Sequence, residues 1–352
     1  MELNNGSSQE GEVHDDRLSL LIDDIILSIL GRVDITTAAK TCVLSKRWKN
    51  LPWLLHELTI DVKDFLRADR HPNPIQAQHV DAAMASVAQE RSPGRLMHQI
   101  QILMCFMVKL EVSRLPKLEQ LRWDGWLSAS IPLLLGVVPS LKEVYLLSGA
   151  TVYLKEFKLS EALGDATAIE DLTLSFQGRR LWIQPEGEEL CSAFSKLRKL
   201  SLHDIFFEFD LFWTMALLEA APSVEVFDIE IWEHPCTVER KQFFGERTKP
   251  SWKVAEFTNR KEWNLKEVKI TGFSSIEQQI TFLKAVMERA PNLRAIFLRD
   301  HQRCEDCEKL LPPSERVPKE RRFPKVKDEH DMVVNQLTGD VAYSHVQIIF
   351  GN

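Results

Sequence analysis

The sequence lacks the motifs by which most enzyme families are recognised. Its 352 residues contain no G-x-G-x-x-G or P-loop for phosphates, no H-E-x-x-H and no G-x-S-x-G. Among the ten histidines, only His301-x-x-Cys304-x-x-Cys307 has a metal-ligand spacing, and the next histidine, His330, is too far along the chain to be a convincing fourth ligand. We therefore expect a non-catalytic protein without a cofactor. A zinc site at residues 301–307 is the weaker alternative to a polar loop with two free thiols.

Charge, cysteine content and apolar run length exclude further classes. The net charge is −7 at pH 7, which gives no reason to expect nucleic-acid binding. Six thinly spread cysteines without a secretory signal predict reduced thiols in the cytoplasm or nucleus. The longest apolar stretch, residues 131–147, is interrupted by Pro132, Gly136 and Pro139, so we expect no membrane span. What remains is an ordinary globular composition, with 44% hydrophobic and 27% charged residues.

Residues 16–51 combine a helical apolar stripe with a basic turn. Leu21, Ile25 and Ile29 fall at the four-residue spacing that places side chains on one face of a helix. Further apolar residues, among them Ile26 and Leu30, widen that surface beyond what three short helices can bury by themselves. The surplus predicts either a partner protein or a helical cap on the domain that follows.

This stretch resembles the F-box of plant proteins, which opens with DRLS-L-DD-L--IL and closes with VLSKRW--L. The match runs without a gap from Asp16 to Leu51. The resemblance implies docking on a Skp-type adaptor, which hangs from a cullin in a ubiquitin ligase. The family usually has proline where this chain has Ile22 and Asp34, and their loss predicts weaker docking. The implied adaptor-binding residues are Leu21, Ile22, Ile25, Ile26, Ile29, Leu30, Val33, Val43, Trp48 and Leu51.

From residue 97 onward one phrase, apolar-x-x-apolar-x-apolar, recurs at a near-constant period. From Leu118 the copies are separated by 23, 28, 28, 27, 41 and 28 residues, and the step of 41 reads as an insertion across residues 234–263. Proline stands two residues before several of the copies, and charged residues fill the variable positions. The copies begin at Met97, Leu118, Leu141, Ile169, Leu197, Val224, Leu265 and Leu293, with an earlier candidate at Leu55.

This phrase and period are the signature of leucine-rich repeats. The fourth and sixth positions share one side of a short strand, so stacked copies form a parallel sheet with helices behind its core face. The best helical patterns are residues 276–290, with a capping box between Ser275 and Gln278, and residues 209–221. The turn asparagine usual in these repeats is absent, which predicts irregular turns. The expected fold class is α/β, a small three-helix F-box followed by an irregular leucine-rich-repeat solenoid with a parallel sheet.

The two ends of the repeat region suggest the domain organisation. Residues 264–300 resemble the FBD region that closes many plant F-box/leucine-rich-repeat proteins. Basic residues at 319–327 fit a solvated linker better than a nuclear address, and a final strand is expected within 341–350. The expected units are a disordered tail at 1–15, the F-box at 16–56, a connector with one helix at 57–95, the repeats at 96–300, and a linker with a capping element at 301–352.

Strand alternation also predicts which residues face away from the core. Residues between the two buried positions of each phrase should form columns on the open face of the sheet, where a partner would bind. The central column, which we take as the candidate target-binding set, consists of Arg122, Tyr145, Thr173, Ser201, Asp228, Lys269 and Phe297.

The function implied by the resemblance is a substrate-recognition adaptor of a Skp-cullin-F-box ubiquitin ligase. The F-box would dock on the adaptor and the repeats would hold a target protein. The alternative is a repeat-based interaction protein that no longer engages a ligase, because both usual prolines are missing.

Overall fold

The computed structural model describes a defined part of the chain. The described residues are 20–33, 37–38, 41, 47–48, 51, 55, 57–61, 99–103, 110–126, 131–148, 156–176, 181–207, 209–232, 262–301, 323–339 and 345–351. Several predictions lie outside these residues. They concern the N-terminal tail at 1–15, the connector helix at 75–90, Val43, Asp34, and the two cysteines of the 301–307 motif.

Ten of the twelve described strands form one sheet in which every neighbouring pair is parallel. The strands are β1 (Glu57–Asp61), β2 (Gln99–Leu103), β3 (Leu110–Arg114), β4 (Gln120–Asp124), β5 (Leu133–Val137), β6 (Glu143–Ser148), β7 (Asp171–Phe176), β8 (Lys199–Phe206), β9 (Val226–Trp232), β10 (Glu267–Thr271), β11 (Ala295–Arg299) and β12 (Gln347–Gly351). The order in the main sheet is β1-β2-β4-β6-β7-β8-β9-β10-β11-β12. The predicted parallel sheet is confirmed.

The repeated phrase explains this register. In the copy that begins at Leu118, the three apolar positions Leu118, Leu121 and Trp123 are all buried. Because the last two are separated by one residue, they point to the same side of β4, and the same holds for the later copies from β6 to β11. The earlier candidate copy is confirmed as β1, which pairs with β2.

The 41-residue step places no strand between β9 and β10. Strands β9 and β10 are direct neighbours, with Asp228 opposite Lys269 and Ile229 opposite Ile270. The long connection therefore leaves the repeat register unchanged, as an insertion should. At the C-terminal end, the expected final strand is present as β12, a few residues later than the centre of the predicted range, and it pairs with β11.

The layer behind the sheet is only partly helical, which corrects the sequence expectation. Strands β3 and β5 pair with each other in parallel as a second, two-stranded sheet. They lie in the connections β2–β4 and β4–β6, where helices were expected. Both segments are five residues long, LEVSR in β3 and LLLGV in β5, and Leu110, Val112, Leu133 and Leu135 are buried. A connection this short favours an extended segment over a helix of several turns.

Helices cover the core in the later repeats. The described α-helices are α1 (Asp23–Leu30), α2 (Leu159–Leu163), α3 (Thr214–Ala220), α4 (Glu277–Arg289) and α5 (Lys327–Thr338). The predicted helix at 276–290 is confirmed as α4, and the one at 209–221 as a short 3-10 turn at Leu211–Trp213 followed by α3.

The predicted capping box of α4 is wrong. Ile276 occupies the N-cap position, and its side chain accepts no hydrogen bond. Instead the amide oxygen of Gln279 accepts a hydrogen bond from the backbone N–H of Ser274, at 2.9 Å. Gln279 is itself buried, so this bond pairs its side-chain amide oxygen inside the fold and also pairs a backbone N–H just before the helix.

Large apolar side chains occupy the turn positions where asparagine is usual. Trp126 and Phe273 are buried there. Each follows a glycine with positive φ, Gly125 at 77° and Gly272 at 78°. The N–H groups of these glycines donate to carbonyl oxygens of the neighbouring strand, 2.8 Å from Gly125 to Leu147 and 3.0 Å from Gly272 to Arg299. Glycine backbone freedom thus replaces side-chain amides in bonding these turns.

Candidate interaction surfaces

The helix α1 has a buried face that belongs to a small core of its own. Ile26 and Leu30 are buried, and they cluster with Trp48, Leu51 and Leu55, together with Ala38. Ile22 is the N-cap residue, with φ −71° and ψ 155°, and the acidic residues Asp23 and Asp24 occupy the first turn, where they suit the helix dipole. Only this one α-helix of the predicted three-helix F-box lies within the described residues, so the complete F-box stays a prediction.

The face of α1 beside this buried face is apolar and open to solvent. The exposed members are Ile22 (64%), Ile25 (46%), Ile29 (41%) and Val33 (38%). Ile25 and Ile29 share one side of the helix, with Ile22 at its N-cap and Val33 three residues after its last residue. We call these four residues the α1 stripe. The structure thus divides the predicted adaptor-binding set into the α1 stripe and the internal residues Ile26, Leu30, Trp48 and Leu51, with Leu21 half-buried between them and Val43 outside the described residues.

Arg47 ties the basic turn to the start of α1. Its guanidinium donates to the Asp23 carboxylate, with Nε 2.8 Å and Nη2 2.6 Å from Oδ1. The same Nη2 donates to the backbone carbonyl oxygen of Leu21, at 2.6 Å. These bonds set the orientation of α1 relative to Trp48. The sequence pattern gave no sign of them, because the partners are 24 and 26 residues apart.

The open face of the main sheet carries the predicted central column in register. Arg122 lies opposite Tyr145, and each later member lies opposite the next as far as Phe297. Arg122 is exposed, and Tyr145, Thr173, Asp228, Lys269 and Phe297 are half-buried. Ser201 is an exception. It stands in the column with only 1% of its surface exposed, because a small side chain lies between longer neighbours, so it is not available to a partner in this conformation.

A depression of about 260 Å³ opens on this face over β2, β4, β6 and β7. Its wall includes the guanidinium of Arg122, which lies 4.1 Å from the centre of the Tyr145 ring and stacks over it. Amide side chains supply hydrogen-bond donors and acceptors along the floor. The lining residues of interest are Gln99, Gln101, Gln120, Arg122, Tyr145 and Thr173.

Beside this depression, a β-bulge brings an additional carboxylate to the open face. Between the pairs Leu202–Ile229 and Ile205–Ile231, the residues His203 and Asp204 of β8 oppose the single residue Glu230 of β9. Asp204 has φ 56°, a left-handed conformation that aspartate tolerates better than most residues. The hydroxyl of the buried Ser175 donates to the Asp204 carboxylate and holds it in place.

Burial and crowding of negative charge perturb the ionisable groups around this bulge. Desolvation, then repulsion from Asp204 and Asp228, raises the pKa of Glu230 to about 7. Desolvation, with a smaller contribution from Asp204, also raises the pKa values of Asp124 and Tyr145 above their usual ranges, although Arg122 counteracts both. Burial lowers the pKa of His203, so this imidazole adds no positive charge at neutral pH.

The described part of the chain contains neither a group of metal ligands nor a helix that could span a membrane. No three or more His, Cys, Asp or Glu side chains among the described residues are placed to hold a metal ion. Within the same residues, no helix has the length and apolar composition needed to cross a bilayer.

The parallel sheet, its buried repeat positions and its open face define a leucine-rich-repeat protein of the α/β class. Residues 94–321 match the family described as "At1g61320/AtMIF1, LRR domain", and the chain belongs to this family. It is also similar to the F-box/LRR-repeat protein At5g38396 of Arabidopsis thaliana, with 32% identity over 116 residues. That alignment covers 32% of this chain and 22% of the relative. The predicted plant leucine-rich-repeat character is confirmed, and the F-box and FBD resemblances stay predictions.

Proposed function

We propose that this chain is the substrate-recognition subunit of a Skp-cullin-F-box ubiquitin ligase. In this role the α1 stripe docks on the Skp-type adaptor, and the open face of the sheet holds a target protein in the cytoplasm or nucleus. The subunit performs no chemistry itself. It raises the effective concentration of a target lysine near the charged conjugating enzyme. The printed name of the Arabidopsis relative, an F-box/LRR-repeat protein, supports the pairing of the two modules.

The observation that carries the proposal is the solvent exposure of the α1 stripe. The four large apolar side chains of the stripe are a costly surface to leave in water, while Ile26 and Leu30 on the adjoining face already supply the internal core. Burying the exposed parts of the stripe, which add up to about two whole side chains, would contribute about 4 kcal/mol at about 2 kcal/mol for each fully buried aliphatic side chain. An amphipathic helix that presents such a stripe is a recurrent way of binding a groove on a partner.

Adaptor binding is the direct test. A purified Skp-type adaptor is titrated into the full chain by calorimetry, since residues 16–51 have not been shown to fold alone. The double variant Ile25→Asp, Ile29→Asp should lose binding at least about a hundredfold, because it places two charges in an apolar contact. Met332→Asp is the matched control, since Met332 on α5 is also apolar and 63% exposed.

Met332→Asp should bind like the parent. Equal affinity of the stripe variant and the parent would exclude the α1 stripe as the docking surface. No binding by a correctly folded parent would exclude the ligase role for this chain as it stands.

The alternative function, a repeat-based interaction protein outside the ubiquitin pathway, rests on Ile22 and Asp34. Ile22 has φ −71°, within the range that proline adopts, so Ile22→Pro fits the existing backbone. If the parent fails to bind the adaptor and the double variant Ile22→Pro, Asp34→Pro binds it, loss of the prolines has disconnected the chain from the ligase. If parent and variant bind equally, the alternative is wrong.

A further inference from the structure

Among the described residues, acidic side chains outnumber basic ones at the centre of the open face, although Arg122 lies near Asp124 and Lys269 is in register with Asp228. The lysines of this face are already paired nearby, Lys199 with Asp171 at 2.9 Å and Lys269 with Glu267 at 3.2 Å. Arg122 is stacked on Tyr145 at the edge of the depression. We call the remaining group the central carboxylates, which are Asp124, Asp204, Asp228 and Glu230.

The central carboxylates adjoin the depression over β2 to β7. Tyr145 belongs to both, since its ring lines the depression and its hydroxyl responds to the charges of Asp204, Asp124 and Glu230. The amides of Gln99, Gln101 and Gln120 continue from there toward β2. A linear segment lying across the strands would therefore meet amide groups first, then an aromatic ring, then concentrated negative charge.

We propose that the open face recognises a basic peptide segment of its target, which inserts a lysine or arginine side chain among the central carboxylates. The rest of the segment lies in the depression, where the glutamine amides can pair with peptide N–H and C=O groups. This proposal rests on the proposed function only in taking the open face as the target surface. It adds the chemistry of the partner, which the function leaves open.

Charge complementarity favours this occupant over an acidic or wholly apolar one. Asp204 and Asp228 are near enough to Glu230 to repel its charge, and all three side chains are half-buried, so an incoming cation gains attraction from several groups and relieves their mutual repulsion. A peptide segment with carboxylates would add to this repulsion. An apolar segment would bury the charges of the central carboxylates without supplying a cation to pair with them.

The test uses a fluorescein-labelled peptide of alternating lysine and serine, with a glutamate–serine peptide as its counterpart. Binding to the full chain is followed by anisotropy at constant ionic strength. The double variant Asp204→Asn, Glu230→Gln should weaken lysine-peptide binding about tenfold or more. Asparagine tolerates the positive φ of position 204 and can still accept the Ser175 hydrogen bond, so the bulge is retained.

The matched control is Glu277→Gln, Glu288→Gln. It removes the same two charges from exposed positions on α4, a helix that covers the core side of the sheet. This control should bind the lysine peptide within about twofold of the parent. If both variants lost the same amount of affinity for the lysine peptide, binding would reflect only the general attraction between an acidic protein and a cation, and the proposal would be overturned. Failure of the parent to prefer lysine over glutamate peptide would overturn it as well.

A pH series measures the contribution of Glu230 to peptide binding separately from the contributions of its neighbours. The other charged or titratable groups around it are His203 and Asp204 on β8, Tyr145 on β6, Asp228 on its own strand, and Lys269 on β10, in register with Asp228. Binding of the lysine peptide should be tighter at pH 8 than at pH 6, because Glu230 loses its proton between them. Glu230→Gln should remove most of this difference, and an unchanged pH difference would exclude Glu230 as a contact. None of these measurements includes the adaptor, so their outcome is independent of whether the α1 stripe docks.

Discussion

Replacing Glu230 by glutamine should stabilise the fold at alkaline pH and have almost no effect in mild acid. The pKa of Glu230 is about 7 in the folded chain, against an ordinary value of 4.5. Between these pH values the native state therefore retains a proton that the unfolded chain has released. By linkage, the contribution of Glu230 to the free energy of unfolding is most favourable below pH 4.5 and is lost as the pH rises toward 7.

The size of the effect follows from the two pKa values. Their difference corresponds to about 3 kcal/mol at 1.4 kcal/mol for each tenfold change in proton affinity. The Glu230 side chain is 26% exposed, so solvent screening reduces the expected penalty to about 2 kcal/mol. Glutamine has a similar shape and no charge. Glu230→Gln should therefore raise the Tm by about 4 °C at pH 8 and by less than about 1 °C at pH 4.5.

Thermal melts followed by circular dichroism at both pH values measure this difference directly. Glu225→Gln is a suitable control on the same sheet, because Glu225 is paired with Lys266 at 2.8 Å and with Arg198 at 2.7 Å. These contacts lower the pKa of Glu225, so its replacement should not raise the Tm at pH 8. A fall in Tm for Glu230→Gln at pH 8, or an equal rise at both pH values, would show that the crowded-carboxylate explanation is incorrect.

Two further substitutions test the repeat architecture, both by urea unfolding. Leu172→Ala should lower the free energy of unfolding by about 2–5 kcal/mol, because Leu172 is fully buried. Thr173→Ala, on the open face, should lower it by less than about 1 kcal/mol, and similar losses for the two variants would contradict the assigned register. Gly272→Ala should cost about 2 kcal/mol or more, because φ is 78° and the new Cβ would overlap the carbonyl oxygen of Ile231. Gly31→Ala, at φ −68°, should be nearly neutral, and an equal loss there would remove the strain argument.

The sheet and its register were predictable from sequence because strand periodicity allows few alternatives. Once the repeated phrase is aligned at Leu118 and its later copies, each side chain is assigned to one face, and a slip of one residue would expose every buried position. The same alignment places Arg122 beside Tyr145 and Lys269 beside Phe297, as the strand register confirms. Helical spacing likewise predicted Ile25 and Ile29 on one face of α1, but it placed Leu21 beside them, whereas the exposed residue at that end is Ile22.

Features that depend on contacts between distant segments were not predictable. The bulge at Asp204 has no local marker, since His203 and Asp204 read as an ordinary continuation of β8, and only the pairing with β9 reveals the additional residue. The burial of Ser201 depends on its neighbours across the sheet, and the Arg47 bonds join segments without a periodic relation. The two-stranded sheet of β3 and β5 was missed because five residues are too few for periodicity to distinguish a strand from a helix.

The direct pairing of β9 with β10 across the longest repeat step has a practical consequence for engineering and for divergence. The pairing of β9 with β10 sets the distance that the connecting chain must span. The entropic cost of closing a loop grows slowly, by about 0.6 kcal/mol for each doubling of its length. The length of this connection can therefore change with little effect on the stability of the sheet. A reporter, an affinity tag or a second binding loop grafted between Trp232 and Glu262 should leave the open face intact, so related chains can acquire new specificities here while keeping the same scaffold.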